Sequence, residues 1–411
     1  MRRLLVWLLL PGSAILADQL LVSGGTLIDG TGGPPLENAQ ILIRDQRIER
    51  VGRFPAPAGA RVIDARGKWV TPGFIDLHFH NEKSTDLAPL FLAHGVTSVR
   101  DPGNWNENFE PLKALLRERK LPGPRLFLCG PHLDGEGPAY PNDAVVIRGP
   151  EEARLQTRRQ IAAGATAIKV YFRLPLDSIR AVVEEAHRHN VPVTAHLEIV
   201  NPIDAIQAGV DGIEHITSLG LALIPPPDAE RYRQAVLANN SARQMGRYRM
   251  WASIDFDSPR VAELLRVIAA RKTFVDPNLA VFERREGDKG EDVPLMVRAT
   301  ANMKRMVGLI HRASGRIVVG SHSNVPHAPR GWAYHREMEM LVESGLSPMD
   351  ALVAATRTGA EFLGRDRELG TIEPGKLADL LVLDANPLES ISNTRKVAMV
   401  LVGGATVPAS R

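Results

Sequence analysis

The stretch Gly73-Phe74-Ile75-Asp76-Leu77-His78-Phe79-His80 ends an apolar run with two histidines two residues apart. In an extended strand such residues project to the same side. Two neutral imidazoles so placed can grip one divalent cation. The pair alone means little, because histidines at this spacing are commonly structural. The arrangement recurs, however. His196 closes VPVTAHLE, His215 closes DGIEHIT and His322 closes RIVVGSH, each just before a turn or helix. Five histidines at four strand ends exceed what scattered core histidines produce, and together they favour a ligand cluster. Imidazole-rich ligation suits zinc best, with iron, nickel, cobalt and manganese as alternatives.

Lys169 lies between Ile168 and Val170 in ATAIKVY. It must point inward or snorkel outward, and burial would lower its pKa. A neutral amine beside a divalent cation can take up carbon dioxide as a carbamate, an anionic oxygen ligand able to bridge two metals. A plain internal salt bridge is the competing reading. Tyr171, two residues on, shares the strand face and could offer its hydroxyl to a substrate carbonyl; a packed aromatic is the alternative. His132, in CGPHLDGEGPAY, follows the third strand and could line the pocket. His327 and Arg330, in a Pro-rich loop beyond the last strand, could meet a substrate carboxylate.

These residues need a frame that gathers strand ends. Short apolar runs occur at 74–80, 96–100, 125–130, 165–171, 191–197, 211–216, 273–280 and 316–322. Most are separated by helical patterns such as 176–190, with apolar Ile179, Val182, Val183 and Ala186. Eight strands alternating with helices predict an α/β fold, a closed (β/α)8 barrel of the TIM type whose site sits at the strands' C-terminal ends. A doubly wound open sheet competes, weakened by the lack of a Gly-rich nucleotide fingerprint. Extended, β-branched segments open and close the chain. They predict a small β-sandwich built from 18–72 and 366–411, around a barrel of 73–365. The stretch 219–272 is longer than an ordinary barrel connection; a solvated surface insertion is favoured over a lid or subunit contact.

Of 411 residues, 44% are hydrophobic and 24% charged, as in ordinary soluble globular proteins. The net charge of +3 includes Arg2 and Arg3, so nothing calls for nucleic acid. Cys129 is the only cysteine, which excludes an intrachain disulfide. Residues 1–17 read as a secretory signal peptide: a basic start, an apolar run at 4–10 and small residues up to Ala17, with Ala14 as a competing cleavage site. That run is too short to span a bilayer, and a buried N-terminal strand is the alternative. The expectation is an exported, periplasmic or secreted protein, free of the membrane once the leader is removed. It would act on a small molecule and could form a homo-oligomer.

In order and spacing, PGFIDLHFH, IKVY, TAHLE, GIEHIT and GTIEPGKLADLLVLDANPL resemble the amidohydrolase superfamily, in particular its imidazolonepropionase-like and metal-dependent prolidase branch. The resemblance covers nearly the whole chain after the leader. It implies a (β/α) barrel with a β-sandwich from both termini, and one or two divalent metals. His78 and His80 would hold the first metal, an N6-carboxylated Lys169 would bridge, and His196 and His215 would hold the second. One position departs. Strand eight of the family usually ends in a Gly-Thr-Asp-like motif, whereas this chain has Gly320-Ser321-His322-Ser323. His322 could ligate a metal or take the proton of the attacking water, but not with the same nitrogen. It is neutral where the family has an anion, which predicts weaker affinity for the first metal or a single-metal site. Ser321 and Ser323 are too weakly basic to replace the aspartate. The implied reaction is cleavage of a C–N amide bond by metal-activated water in dipeptides, N-acyl amino acids or cyclic amides. The rivals are a non-catalytic metal- or ligand-binding barrel, or a lactone, carbamate or phosphoester hydrolase; loops decide between these, not the fold.

Overall fold

The computed structural model describes residues 19–81, 84–118 and 123–407; the expected leader lies outside them. Gln19–Leu27 (β1), Leu36–Arg44 (β2), Arg47–Gly52 (β3), Arg61–Asp64 (β4) and Trp69–Pro72 (β5) open the chain. The barrel follows as Phe74–Asp76 (β6), Val96–Asp101 (β7), Arg125–Leu128 (β8), His132–Asp134 (β9), Ala144–Val146 (β10), Ile168–Val170 (β11), Val193–Ala195 (β12), Gly212–Glu214 (β13), Phe274–Asp276 (β14) and Arg316–Ile317 (β15). Leu380–Leu383 (β16), Val397–Val402 (β17) and Ala405–Val407 (β18) return to the first strands.

The terminal strands form one mostly antiparallel sheet in the order β18-β17-β16-β5-β1-β2-β3, with β4 beside β1. Leu20, Val22, Ile41 and Ile43 from one half meet Leu380, Val382 and Leu401 from the other in a single core. The sheet therefore folds over on itself, sandwich fashion. β16 shows why its sequence is apolar without alternation. Leu380 and Val382 enter that core, while Leu381 and Leu383 pack into the barrel's. A strand buried on both faces has no polar side to offer.

Each of the eight predicted runs contains a barrel strand. β6-β7-β8 form one parallel sheet and β10-β9-β11-β12-β13-β14-β15 the other. Bonds outside the ladders close the ring. Thr166 N donates to Leu128 O at 2.8 Å, and Leu77 N donates to Val319 O at 2.9 Å. The third strand differs from its expectation: it breaks at Gly130, whose φ is +79°, and resumes as β9. The resumption carries His132 further toward the barrel mouth. Between barrel strands, the helix Leu176–Arg188 buries Ile179, Val182, Val183 and Ala186 as its periodicity predicts.

The segment 219–272 is not a solvated insertion. Its helices Pro226–Ala238, Ala242–Ala252 and Pro259–Arg271 bury Val236, Tyr248, Trp251 and Leu264, and the second of them sends arginines toward the site. Its polar composition hid this, because those arginines are buried against partners on other elements.

Leu381, fully buried between sheet and barrel, ties the two together. Leu381→Ala should lower stability by about 2–5 kcal/mol, read as a reduced melting temperature.

Candidate metal centre

β6 runs into the site with alternating backbone bonds. Leu77 N reaches Val319 O on one side, and Phe79 N reaches Arg100 O at 2.9 Å on the other. This pins the extended backbone, so His78 and His80 face the same cavity. Their ring centroids are 5.0 Å apart. His322 stands 5.2 Å from His78 and 4.8 Å from His80. One nitrogen from each of these three lies within 4.8 Å of the others. His215 is 4.7 Å from His78, and His196 is 4.7 Å from His215. The structure therefore brings all five predicted imidazoles together.

Two of them sit on strained backbone. His215 has φ +61° with ψ 123°, and His322 has φ +58°. Such conformations persist in non-glycine residues only when the surroundings over-determine them. His215 N donates to Asp276 O at 2.9 Å, and His322 N to His78 O at 2.7 Å. The serines flanking His322 act as braces. Ser323 Oγ accepts from His80 N at 2.7 Å and donates to His80 O at 2.9 Å, while Ser321 Oγ accepts from Ser323 N. Gly320 has no freedom to be anything else: a Cβ there would lie 2.4–2.5 Å from the Asp276 carboxylate and 2.5 Å from His78 Cβ.

Lys169 is 1% exposed, so it points inward. Its amine contacts Glu214 Oε2, the partner foreseen in the salt-bridge reading. Glu214 also takes Arg100 Nη2 at 2.6 Å and lies 3.3 Å from His78 Nδ1. Burial, then the Arg100 charge, hold the Lys169 ammonium well below its usual range. Asp276 Oδ2 is 3.4 Å from His78 Nδ1, and burial pushes this carboxyl well up. Neither Glu214 nor Asp276 was anticipated, although each is a charged residue ending an apolar strand, the very signal that marked the histidines.

His196 Nε2 lies 3.0 Å from Glu198 Oε1 and 2.9 Å from Arg247 Nη2. Burial raises the Glu198 carboxyl, but the Arg247 guanidinium and its hydrogen bonds outweigh this and hold it at about 2. Tyr232 Oη donates to the other Glu198 oxygen. Glu198, Arg247 and Tyr232 were also missed, because two of them arrive from the helices of 219–272.

A cavity of about 420 Å³ opens over the cluster, lined by His132, Tyr140, Lys169 and Tyr171 together with His78, His80, His215 and His322. His132 stacks on Tyr171 at 4.6 Å and 15°, and Tyr171 lies 4.6 Å from His196. Burial presses the His132 imidazole down to about 3. His327 and Arg330 do not reach this cavity. His327 Nε2 is held by Asp288 at 3.1 Å, and Arg330 by Asp86 at 3.0 Å on the surface. The loop beyond strand eight turns outward, which its Pro-rich composition could not reveal.

The residues fit a divalent cation. Burial, reinforced at His78 and His215 by the facing imidazoles, drives His78, His196 and His215 well below 6.5, so their lone pairs are free at neutral pH. The Nδ1 atoms of His196 and His215 are buried without a hydrogen-bond partner. Such orphans cost about 1–3 kcal/mol each, a penalty that ligation removes.

The sequence model described as "Amidohydrolase family" matches residues 69–407. A dihydroorotase of Pelotomaculum thermopropionicum is 26% identical over 407 residues, 92% of this chain and 91% of that protein. A crystal structure of a prolidase complexed with N-methylphosphonate-L-proline superposes with a TM-score of 0.71 at 26% identity, covering 95% of this chain and 99% of that one. A Xaa-Pro dipeptidase with bound methionine in its active site gives 0.74 at 23% identity, with 95% and 100% covered, and shares the fold.

Ser323→Ala removes both bonds that clamp His80. It should cost about 1–3 kcal/mol of stability, measured by chemical denaturation.

Proposed function

The chain belongs to the amidohydrolase family and is a hydrolase of carbon–nitrogen bonds, and on that premise we propose that it cleaves amide bonds of small substrates with the help of one or two divalent cations, zinc the best match. The observation that carries this reading is the convergence of five neutral imidazoles and one buried amine around a single cavity. When bound there, a divalent cation supplies Lewis acidity, polarising a carbonyl and acidifying water.

His78 and His80 would hold the first ion, and His196 and His215 the second, with Lys169 between them. His196 Nε2 stands between an acceptor, Glu198, and a donor, Arg247; a proton held on Nε2 by Glu198 would leave the Nδ1 lone pair for ligation. Glu214 can fully compensate one cation, and Arg100 cannot shed its proton. Lys169 is therefore the group driven to a neutral amine, the form that reacts with carbon dioxide; this supports carboxylation of Lys169. His322, pressed down to about 4 chiefly by burial, is neutral at pH 7. One of its nitrogens can take a proton from attacking water and return it to the leaving amine. Tyr171, buried and without a hydrogen bond among the described residues, can place its hydroxyl at the substrate carbonyl. The substrates would be dipeptides, N-acyl amino acids or cyclic amides. The pattern at 1–17 supports export, to be checked by sequencing the N-terminus of the protein recovered outside the cytoplasm.

Metal analysis of the purified protein and an amide panel with and without chelator test the core of the reading. His78→Ala should lose bound metal and turnover together; full activity with a full metal complement would exclude the scheme. His322→Ala separates base from ligand. As a base it should lose about 10²–10⁴ in kcat while keeping its metal, whereas proportional loss of metal would make it a ligand only.

A further inference from the structure

The two imidazoles on strained backbone, His215 and His322, are linked behind the cavity by one side chain. Asn278, just after β14, is 1% exposed. Its Oδ1 accepts from His215 N at 3.2 Å. Its Nδ2 donates to Gly320 O at 2.9 Å and to Asp276 Oδ1 at 3.1 Å. These partners settle which way the amide points, because a backbone N–H only donates and a backbone carbonyl only accepts. The oxygen is therefore spent on the end of β13, and the two amide hydrogens on the end of β14 and the run after β15.

The backbone around Asn278 is arranged for this link. Asn278 has φ 49° and ψ 45°, the left-handed conformation that asparagine adopts more readily than most residues. On one side of it, Ile216 N donates to Pro277 O at 2.9 Å. On the other, Glu337 reaches in from the helix Ala333–Glu343 and accepts from Leu279 N and Ala280 N, both at 2.8 Å. The amide is thus held from both flanks. It does not belong to the cavity lining, so it reaches the imidazoles only through their backbone. That is where their strain lies. A positive φ in a histidine persists only while its neighbours over-determine it, and Asn278 grips His215 directly and His322 through Gly320, two residues earlier.

We propose that Asn278 is a positioning residue that sets the spacing of His215 and His322, and through them the affinity of the site for its cation. The dependence on a cation rests on the hydrolase reading above; the positioning role rests on the hydrogen bonds alone. Without the amide, His215 N keeps Asp276 O, but the run from Gly320 to His322 loses its tie to β14. Both histidines can then relax toward negative φ, and their rings turn away from the common centre.

Asn278→Gly is the clean variant, since glycine takes up the left-handed conformation without strain and only the amide is lost. Asn278→Ala loses the same amide and adds backbone strain. Cobalt(II), titrated into the metal-free protein and followed by its visible absorption, is the probe. Both variants should bind it about 10–100-fold more weakly than the wild type, the usual effect of removing a group that orients ligands, and with an altered visible band. Asn278→Ala should melt below Asn278→Gly. Leu381→Ala, destabilised between sheet and barrel, should melt early yet keep the wild-type affinity and band. Affinity that simply follows melting temperature across the three variants, or wild-type affinity in Asn278→Gly, would overturn the proposal. A second measurement needs no ion: the histidine imidazole NMR signals of the metal-free protein, assigned by single histidine replacements. Asn278→Gly should shift those of His215 and His322 and leave that of His187, on the helix Leu176–Arg188, in place. Unmoved signals from His215 and His322 sink the positioning role even if amides are cleaved. Shifted signals in a protein that takes up no cation support that role and sink the hydrolase reading instead.

Discussion

Arg100, Glu214 and Lys169 form a buried ionic row just inside the barrel, and the imidazole cluster is built upon it. Burying charges this deeply is tolerable only when they are paired and hydrogen-bonded. The row meets that condition with one carboxylate for two basic groups, and the imbalance has a direction. Arg100 also donates from Nε to Leu77 O at 2.7 Å, which fixes it to the strand that carries His78 and His80. The permanent cation is locked in place, the carboxylate is shared, and the lysine is the member free to change state. His78 Nδ1 lies 3.3 Å from Glu214 and 3.4 Å from Asp276 without a hydrogen bond to either.

Above this row the backbone itself is held under tension. His215 and His322 occupy positive φ because neighbouring strands grip them, through Asp276 O and His78 O respectively. Gly320 lets strand eight press against Asp276 and His78 without a side chain in between. The cluster is thus positioned by strand ends rather than by loops, which suits a site that must hold several ligands to within a fraction of an ångström.

The fold was readable because every barrel strand writes itself as a short apolar run between helical patterns, and the histidines were readable because they end those runs. Lys169 was readable for a related reason: a lysine between Ile168 and Val170 has to be explained. What escaped notice arrives from elsewhere in the chain. Arg243, Arg247 and Tyr232 belong to helices whose many arginines look solvated until tertiary packing buries them. Glu198 reads as an ordinary polar residue after a strand, and only its contact with Arg247 shows otherwise. His327 and Arg330 fall outside the cavity lining because a loop's direction is set by partners such as Asp288 and Asp86, which no local pattern specifies.

The histidine at strand eight takes on a different meaning in this setting. An aspartate there would bring an anion to the cavity wall, beside carboxylates already present at Glu214 and Asp276. With His322 in its place, the acidic groups beside His78 are Glu214, which already serves Arg100, and Asp276, which burial pushes toward its neutral form. The helix Ala242–Ala252 adds Arg247, balanced by Glu198, and Arg243, whose charge is felt by the buried Asp134 carboxyl.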